Sequence, residues 1–273
     1  MKDKLFYAAI WFFSILTLAA LLVIVGYIMY RGASHISWEF ITERPSLMGK
    51  KGGIFPIIIG TLYVTGVGLL IAAPIGITAA VYFAEYSKDG RLVRAIRVFT
   101  EALAGIPSII VGLFGFAFFV VFLGFGWSVL SGGLSVSLMI LPILIRSTEE
   151  ALKTVPLSYR EGSLSLGASK WETTRKVVLP CCRKGILTGL VLSMGRVVGE
   201  TAVIMLTVGG ALKLPVSIFD STRTMSLHMY ILAAEGISQE KAFATAALLV
   251  LIILVINGLA NIIGHRIGGS NGK

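Results

Sequence analysis

Charged residues are missing from four long stretches of the chain, residues 5–30, 54–84, 102–145 and 242–264. A helix that crosses the hydrocarbon core of a bilayer needs about 20 mainly apolar residues, and each stretch is long enough. Drawn as one helix, residues 102–145 would extend about 66 Å, roughly twice the hydrocarbon thickness. That stretch therefore predicts two spans that turn near Gly124–Ser128, in the sequence GFGWS. A fifth apolar stretch, 185–210, differs in carrying Arg196 and Glu200 near its middle. The pattern predicts an all-α polytopic membrane protein with six transmembrane helices, near 5–30, 54–84, 102–124, 127–148, 185–210 and 242–265. They form a single domain, 1–273, with little chain left for a soluble one.

Two of the intervening loops carry further signals. Residues 31–53 include a short amphipathic piece around Ser37–Ile41. The long semi-apolar loop 211–241 predicts an interfacial helix or a partly re-entrant one. Pro74, Pro107 and Pro142 lie within spans or at their starts, where freed backbone groups need a neighbouring helix or a cavity. Packing accounts for most such residues, and a bend beside a pathway is the sharper reading.

Composition agrees with a membrane protein. Hydrophobic residues are 56% of the chain and charged residues only 14%, against about a quarter in soluble domains. The first span follows Lys2 and Lys4, as a signal peptide would, but its apolar run is too long for a signal core. It reads as a retained anchor. The net charge of +10 is mostly a topology signal. With the N-terminus inside, sixteen Lys and Arg side chains fall on inner segments and six on outer loops, with Lys241 at a membrane edge. Basic loops stay on the cytoplasmic side, so both termini are expected there. No basic face is left over for nucleic acid. Cys181 and Cys182 are adjacent and on the reducing side, and read as packing residues rather than a redox site. His35, His228 and His265 are scattered, and no metal-ligand spacing occurs.

The inner loop 150–184 is the most specific part of the chain. Its sequence from Thr154 to Gly185, TVPLSYREGSLSLGASKWETTRKVVLPCCRKG, predicts two short helices broken at Gly167. Ser169 and Glu172 have the spacing of a capping box, in which each side chain takes the other residue's free backbone N–H. Leu164, Leu166 and Trp171 offer an apolar knob on the hairpin. Local physics alone also fits an amphipathic loop resting on lipid. The spacing, however, resembles the EAA signature of ABC-importer permeases. It has Glu161, the small residues Gly162 and Ser163, Gly167 six after the glutamate, and then Val177-Val178-Leu179-Pro180. The family pattern has two alanines where Gly162 and Ser163 stand, and isoleucine at Val177. Gly162 should loosen the first helix by up to ~1 kcal/mol relative to alanine.

That resemblance implies a type I ABC-importer permease fold and a coupling helix that docks on a cytoplasmic ATPase. Glu161, Gly162, Ser163, Gly167, Trp171, Leu179 and Pro180 would serve this contact. The chain lacks a Gly-x-x-x-x-Gly-Lys-[Ser/Thr] phosphate loop. ATP and Mg would therefore sit on the partner, with no cofactor bound by this chain and no enzyme activity of its own.

Arg196 raises the question of cargo. A translocon-type scale charges about 2.5–3.5 kcal/mol for an arginine at a helix centre, and intramembrane ionisable residues usually face a cavity or pathway. Glu200 is expected one turn on, on the same helical face. An ion pair kept only for insertion is the plainer alternative, although arginine before glutamate is the poorer i,i+4 orientation. Arg196-Val-Val-Gly-Glu200-Thr201 resembles the R-x-x-G-E-T motif of phosphate-importer permeases. The likeness to their PstA-type subunits extends over Gly52–Tyr86, Gly105–Val120 and Leu141–Pro156.

This second resemblance implies inorganic phosphate as cargo. The implied partners are a homologous PstC-type permease, a dimer of ATPase subunits and an extracytoplasmic phosphate-binding protein. A guanidinium binds phosphate through a planar fork of charged donors. Glu200 would either accept a hydrogen bond from a protonated phosphate oxygen or offset the arginine so that the anion is not trapped. Thr201 can add a hydroxyl. Arg146 is either a second basic step on the path or an anchor paired with Glu150. Molybdate, tungstate and sulfate are the nearest rival cargoes, and a stand-alone anion channel is the rival of another class.

Overall fold

The computed structural model describes residues 2–87 and 90–268. Two long helices bracket the chain, α1 (Lys2–Gly32) and, at the other end, α12. Between them lie a short α2 (Trp38–Thr42), then α3 (Phe55–Val81), which ends in a π turn at Tyr82–Tyr86. Next come α4 (Arg91–Gly105), α5 (Ser108–Gly115) with a π continuation at Phe116–Phe122, and α6 (Val129–Lys153). The loop after α6 holds α7 (Leu157–Ser165) and α8 (Lys170–Thr173), and a π turn at Thr174–Val178 leads into α9 (Leu179–Val198). After them follow α10 (Ala202–Thr207), α11 (Met225–Ala234) and α12 (Gln239–Gly268). A two-residue strand pair, β1 (Pro45–Ser46) with β2 (Lys51–Gly52), is antiparallel. Among the described residues five helices are long and apolar enough to cross a membrane, or six if the bent pair α4–α5 is one span.

Two spans depart from the sequence pattern. The third was expected at 102–124, but residues 102–105 belong to α4, and α5 leaves it at an angle of 103°. Proline forces the residue before it out of the helical region, and Ile106, before Pro107, is extended at φ −70°, ψ 130°. The straight part after the bend is only Ser108–Phe122. The fifth span, expected at 185–210, is not one helix. Its lower part is longer, since Lys170–Val198 is continuous. Its upper part stops at Val198 and restarts at Ala202 as α10. The turn at Gly124–Ser128 forms as expected. Gly124 and Gly126 take φ of 69° and 65°, and the Ser128 side chain caps α6 by accepting from Ser131 N–H at 3.1 Å.

Small residues decide the packing. α3 and α6 lie close because their facing positions are glycines. A Cβ on Gly68 would meet Val136 Cγ2 at 2.7 Å, one on Gly76 would meet Leu144 Cβ at 2.9 Å, and one on Gly133 would strike Val67. Small residues let helix backbones approach, which is how helices gain contact in lipid. Val64, Ala72, Val136, Ile140, Leu144, Val197, Val203 and Ile204 form the central core around this pair. At the α7–α8 end a second cluster contains Ala80, Leu152, Val178 and Cys182. The Cys182 thiol donates to Ala151 C=O at 3.2 Å, in keeping with a packing role. At the opposite end Phe40, Ile54, Ile57 and Met225 pack together. Ser37 caps α2 by accepting from Phe40 N–H, and the Phe40 side chain is buried. The loop 211–241 supplies α11, which is buried at Met225, Ser226, Leu227, His228 and Leu232 and is therefore not a surface helix. α1 is exposed along its whole apolar window and meets α12 near its C-terminal end, where Tyr27 and Phe243 are edge to face at 5.7 Å.

Gly133→Leu should wedge α3 from α6. Overpacking of this kind costs about 1–3 kcal/mol, read as a lower Tm of the purified protein in detergent. An unchanged Tm would show that the close approach is not required.

Candidate functional site

Arg196 lies in the last turn of α9. It is twelve residues beyond Lys184, or about 18 Å along the helix, in the apolar part of the span. The helix ends two residues later, at Val198. A helix that stops there leaves amides and carbonyls unpaired, and hydrocarbon offers them nothing. Glu200 answers this directly. Its Oε1 accepts from Ala202 N–H at 3.1 Å and from Val203 N–H at 3.4 Å, the first amides of α10. Glu200 therefore does not sit one turn along a continuous helix, as the spacing suggested. It lies in the break and folds back as the cap of the next helix. Its side chain is 5% exposed, whereas that of Arg196 is 51% exposed, and their nearest atoms, Nη2 and Oε2, are 3.7 Å apart. The guanidinium is thus placed beside a carboxylate without being locked onto it.

Neighbouring elements hold the break in place. Ser226, on α11, donates its hydroxyl to Glu200 C=O. Met225 N–H donates to Thr61 Oγ1 on α3 at 2.9 Å. Thr201 precedes α10 but makes no side-chain cap. It lines an apolar cavity of about 620 Å³ with Ile28, Ile109, Met205, Tyr230 and Phe243. Arg146 lines a different groove, of about 500 Å³, with Arg97, Glu101, Glu149 and Lys153. It pairs loosely with Glu150 at 3.6 Å, and both side chains are exposed. Ser147, its neighbour, packs against Gly189, which is about 10 Å before Arg196 along α9. The structure thus brings Arg196 and Glu200 together, and sets Thr201 and Arg146 on separate cavities.

One basic residue escaped the sequence reading. Arg223 counted only as an outer-loop charge, yet it is 6% exposed. Its Nε donates to Gly210 C=O at 3.1 Å, and its Nη1 meets His228 Nδ1 at 3.4 Å. Burial, and then the Arg223 charge, push His228 down to about 3, so its ring is neutral and Nδ1 accepts. No helical repeat marks this pair, because Arg223 lies two residues before α11 and His228 lies five positions on, within it.

The loop 150–184 forms the expected hairpin. α7 ends before Gly167, which takes φ +82°, and Ser169 opens α8. The capping box is complete, with Glu172 N–H on Ser169 Oγ at 3.2 Å and Ser169 N–H on Glu172 Oε2 at 3.1 Å. Ser163 stands where the resemblance has alanine, and its hydroxyl bonds that of Thr173 at 2.9 Å, across the hairpin. Gly162 has open space around a built Cβ. Glu161 is exposed, and so are Leu164, Leu166 and Trp171, Leu166 at 90%. Leu179 and Pro180 begin α9 just after the π turn. Pro180 has no N–H to offer the preceding turn, so the ladder is already open where that turn widens.

The Ser169 N–H, then Lys176, hold the Glu172 carboxyl down at about 2, below its ordinary 4.5. A lowered carboxylate stabilises the fold above its unfolded pKa, and the gain fades as pH falls toward the folded value. Protection of the Ser169 amide in hydrogen exchange should stay level from pH 7 to 5 and drop between about 4.5 and 2. In Glu172→Gln the drop should vanish. A drop in both proteins would mean that Glu172 is not the cause.

Comparison with known proteins gives a consistent family. Residues 72–269 match the binding-protein-dependent transport system inner membrane component family. The probable ABC transporter permease protein YqgI of Bacillus subtilis is 33% identical over 92% of this chain and 91% of its own length. The phosphate transport system permease protein PstA of Pasteurella multocida is 34% identical over 85% and 83%. PstA 1 of Mycobacterium tuberculosis is 34% identical over 76% and 68%. In structure, a chain of a bacterial alginate ABC transporter aligns with a TM-score of 0.72 at 18% identity, covering 98% of this chain and 96% of that one. A chain of the MetNI methionine ABC transporter gives 0.64 at 20%, covering 79% and 94%. These likenesses establish a type I ABC-importer permease fold. Proteins of this family are membrane subunits without a cofactor, working with a binding protein and a separate ATPase. The chain belongs to the binding-protein-dependent transport system inner membrane components, and it is a multi-pass permease subunit of an ABC importer, not a catalytic one.

Proposed function

We infer that this chain is the PstA-type permease of an ATP-driven inorganic phosphate importer. It would pair with a PstC-type permease to enclose the path. A dimer of cytoplasmic ATPase subunits would lie at the α7–α8 end, and a phosphate-binding protein at the end with α2 and α11. Both chain termini then lie in the cytoplasm, in line with the bias of basic residues.

The observation that carries this reading is Arg196, a half-exposed guanidinium at a helix break in an otherwise apolar span. Phosphate must trade its water for donors to cross. A guanidinium stays ionised and offers five N–H groups in a fork. Glu200 already gives Oε1 to the α10 amides. That favours a balancing role over one that reads phosphate's proton. The carboxylate weakens the hold of Arg196, and a conduction site must bind weakly enough to release. With Glu200 so engaged, phosphate is favoured over sulfate or molybdate by the R-x-x-G-E-T motif and the PstA relatives, not by proton chemistry. Arg146, about 10 Å nearer the α7–α8 end, is a candidate second contact on the way out. Glu161, Gly162, Ser163, Gly167, Trp171, Leu179 and Pro180 form the ATPase-facing loop. The exposed Leu164, Leu166 and Trp171 are the apolar surface such a partner would cover.

Arg196→Gln should abolish phosphate uptake by proteoliposomes at least 100-fold while the complex still co-purifies. Uptake within twofold of the unaltered protein would sink the role of Arg196. ATPase stimulation by molybdate and its binding protein, without stimulation by phosphate, would change the cargo. Gly167→Val strains a residue at φ +82°. It should lower ATP-driven uptake at least tenfold, and a normal rate would show that the hairpin is not the coupling element.

A further inference from the structure

The coupling loop is joined to the membrane helices by a part-buried ion pair that the family signature does not include. Arg160 immediately precedes Glu161, on α7. Its guanidinium spends every nitrogen. Nε donates to Glu85 Oε1 at 3.1 Å and Nη2 to the same oxygen at 2.8 Å. Nη2 also donates to Leu152 C=O at 2.9 Å, and Nη1 to Val155 C=O at 2.6 Å. The side chains are 19% and 8% exposed for Arg160 and Glu85.

The three partners lie on different elements. Glu85 is in the π turn that ends α3. Leu152 is in the last turn of α6, and its carbonyl takes the Arg160 bond beside one from Val155 N–H at 3.3 Å. Val155 is in the link from α6 to α7. A second contact runs beside the first, with Lys170 Nζ of α8 over the Tyr86 ring at 5.2 Å. π turns interrupt helices mostly at functional places, and two of them flank this joint, at Tyr82–Tyr86 and Thr174–Val178.

We propose that Arg160 and Glu85 are the positioning pair that makes α7 move as one body with the ends of α3 and α6. The inference rests on the coupling role of the hairpin. It adds where the force enters the bundle. A guanidinium held by five hydrogen bonds, three of them to the Glu85 carboxylate, transmits displacement in a way that a greasy contact, free to slide, does not. From there the route continues without a gap. α3 is interlocked with α6 through Gly68, Gly76 and Gly133. At its other end Thr61 holds Met225, and Ser226 holds Glu200, in the break beside Arg196.

The test uses the whole importer in nanodiscs, with spin labels on α3 at Leu70 and on α12 at Leu254, both exposed, and Cys181 and Cys182 replaced. The distance between labels is read by pulsed electron resonance before and after trapping with ATP and vanadate, with no cargo present. The labelled parent should show a shift. Glu85→Gln and Arg160→Lys should each lose at least half of it, while the ATPase subunits still co-purify and basal hydrolysis stays within twofold. A full shift in both variants would overturn the proposal, and so would a parent without a shift. Loss of the ATPase subunits from both variants would also overturn it, since the pair would then serve assembly alone. Failure of phosphate uptake in a parent that shows the shift would sink the phosphate reading and leave this pair supported.

Discussion

A backbone that breaks inside a membrane must satisfy its own polar groups, and the structure around Arg196 follows from that constraint. Hydrocarbon offers no partner for a freed amide, so those that open α10 need an acceptor from the protein. Glu200 supplies one carboxylate oxygen for two of them. Its other oxygen faces Arg196, and its carbonyl is taken by Ser226. Without that carboxylate the break would expose free N–H groups, and the arginine would stand without a counter-charge. The carboxylate that stands beside the arginine is thus also the group that makes the broken helix tolerable.

The same economy operates at the other end of the molecule. The last turn of α6 and the link after it present the Leu152 and Val155 carbonyls, α3 ends in a widened turn, and the hairpin that follows has little core of its own. Arg160 satisfies the carbonyls, neutralises Glu85 and ties α7 down at once. The hairpin is then free to leave its apolar tip exposed. Between the two ends, α3 and α6 touch backbone to backbone because glycine faces valine and leucine along their seam. Stiffness in lipid comes from such close contact and not from the exclusion of water, since lipid tails are as apolar as leucine.

Much of this architecture was legible beforehand. Charge-free stretches identified the membrane helices because each charge in hydrocarbon is costly. The turn at Gly124–Ser128 and the Ser169–Glu172 box were legible because they depend on local backbone chemistry. The bend at Ile106–Pro107 was misread, since hydropathy ran on through it while proline geometry did not. The break after Val198 was harder still. No proline marks it, and Gly199 alone would have been tolerated in a helix. What opens the helix there is the set of partners waiting in α11 and α3.

For the candidate site, the sequence by itself determined the residue types and their approximate depth, Arg196 and Glu200 in an apolar stretch and an EAA-like hairpin before it. Spacing sufficed because these are short-range patterns. Only the tertiary structure decided what each residue does. It turned Glu200 from a helix-face neighbour into a cap, separated Arg146 and Thr201 from Arg196, and buried Arg223 against His228. It also joined Arg160 to Glu85 across a separation of 75 positions. Such pairings depend on which helices lie side by side, and that is set by the fit of small residues across the bundle, a property of surfaces that no local run of sequence contains.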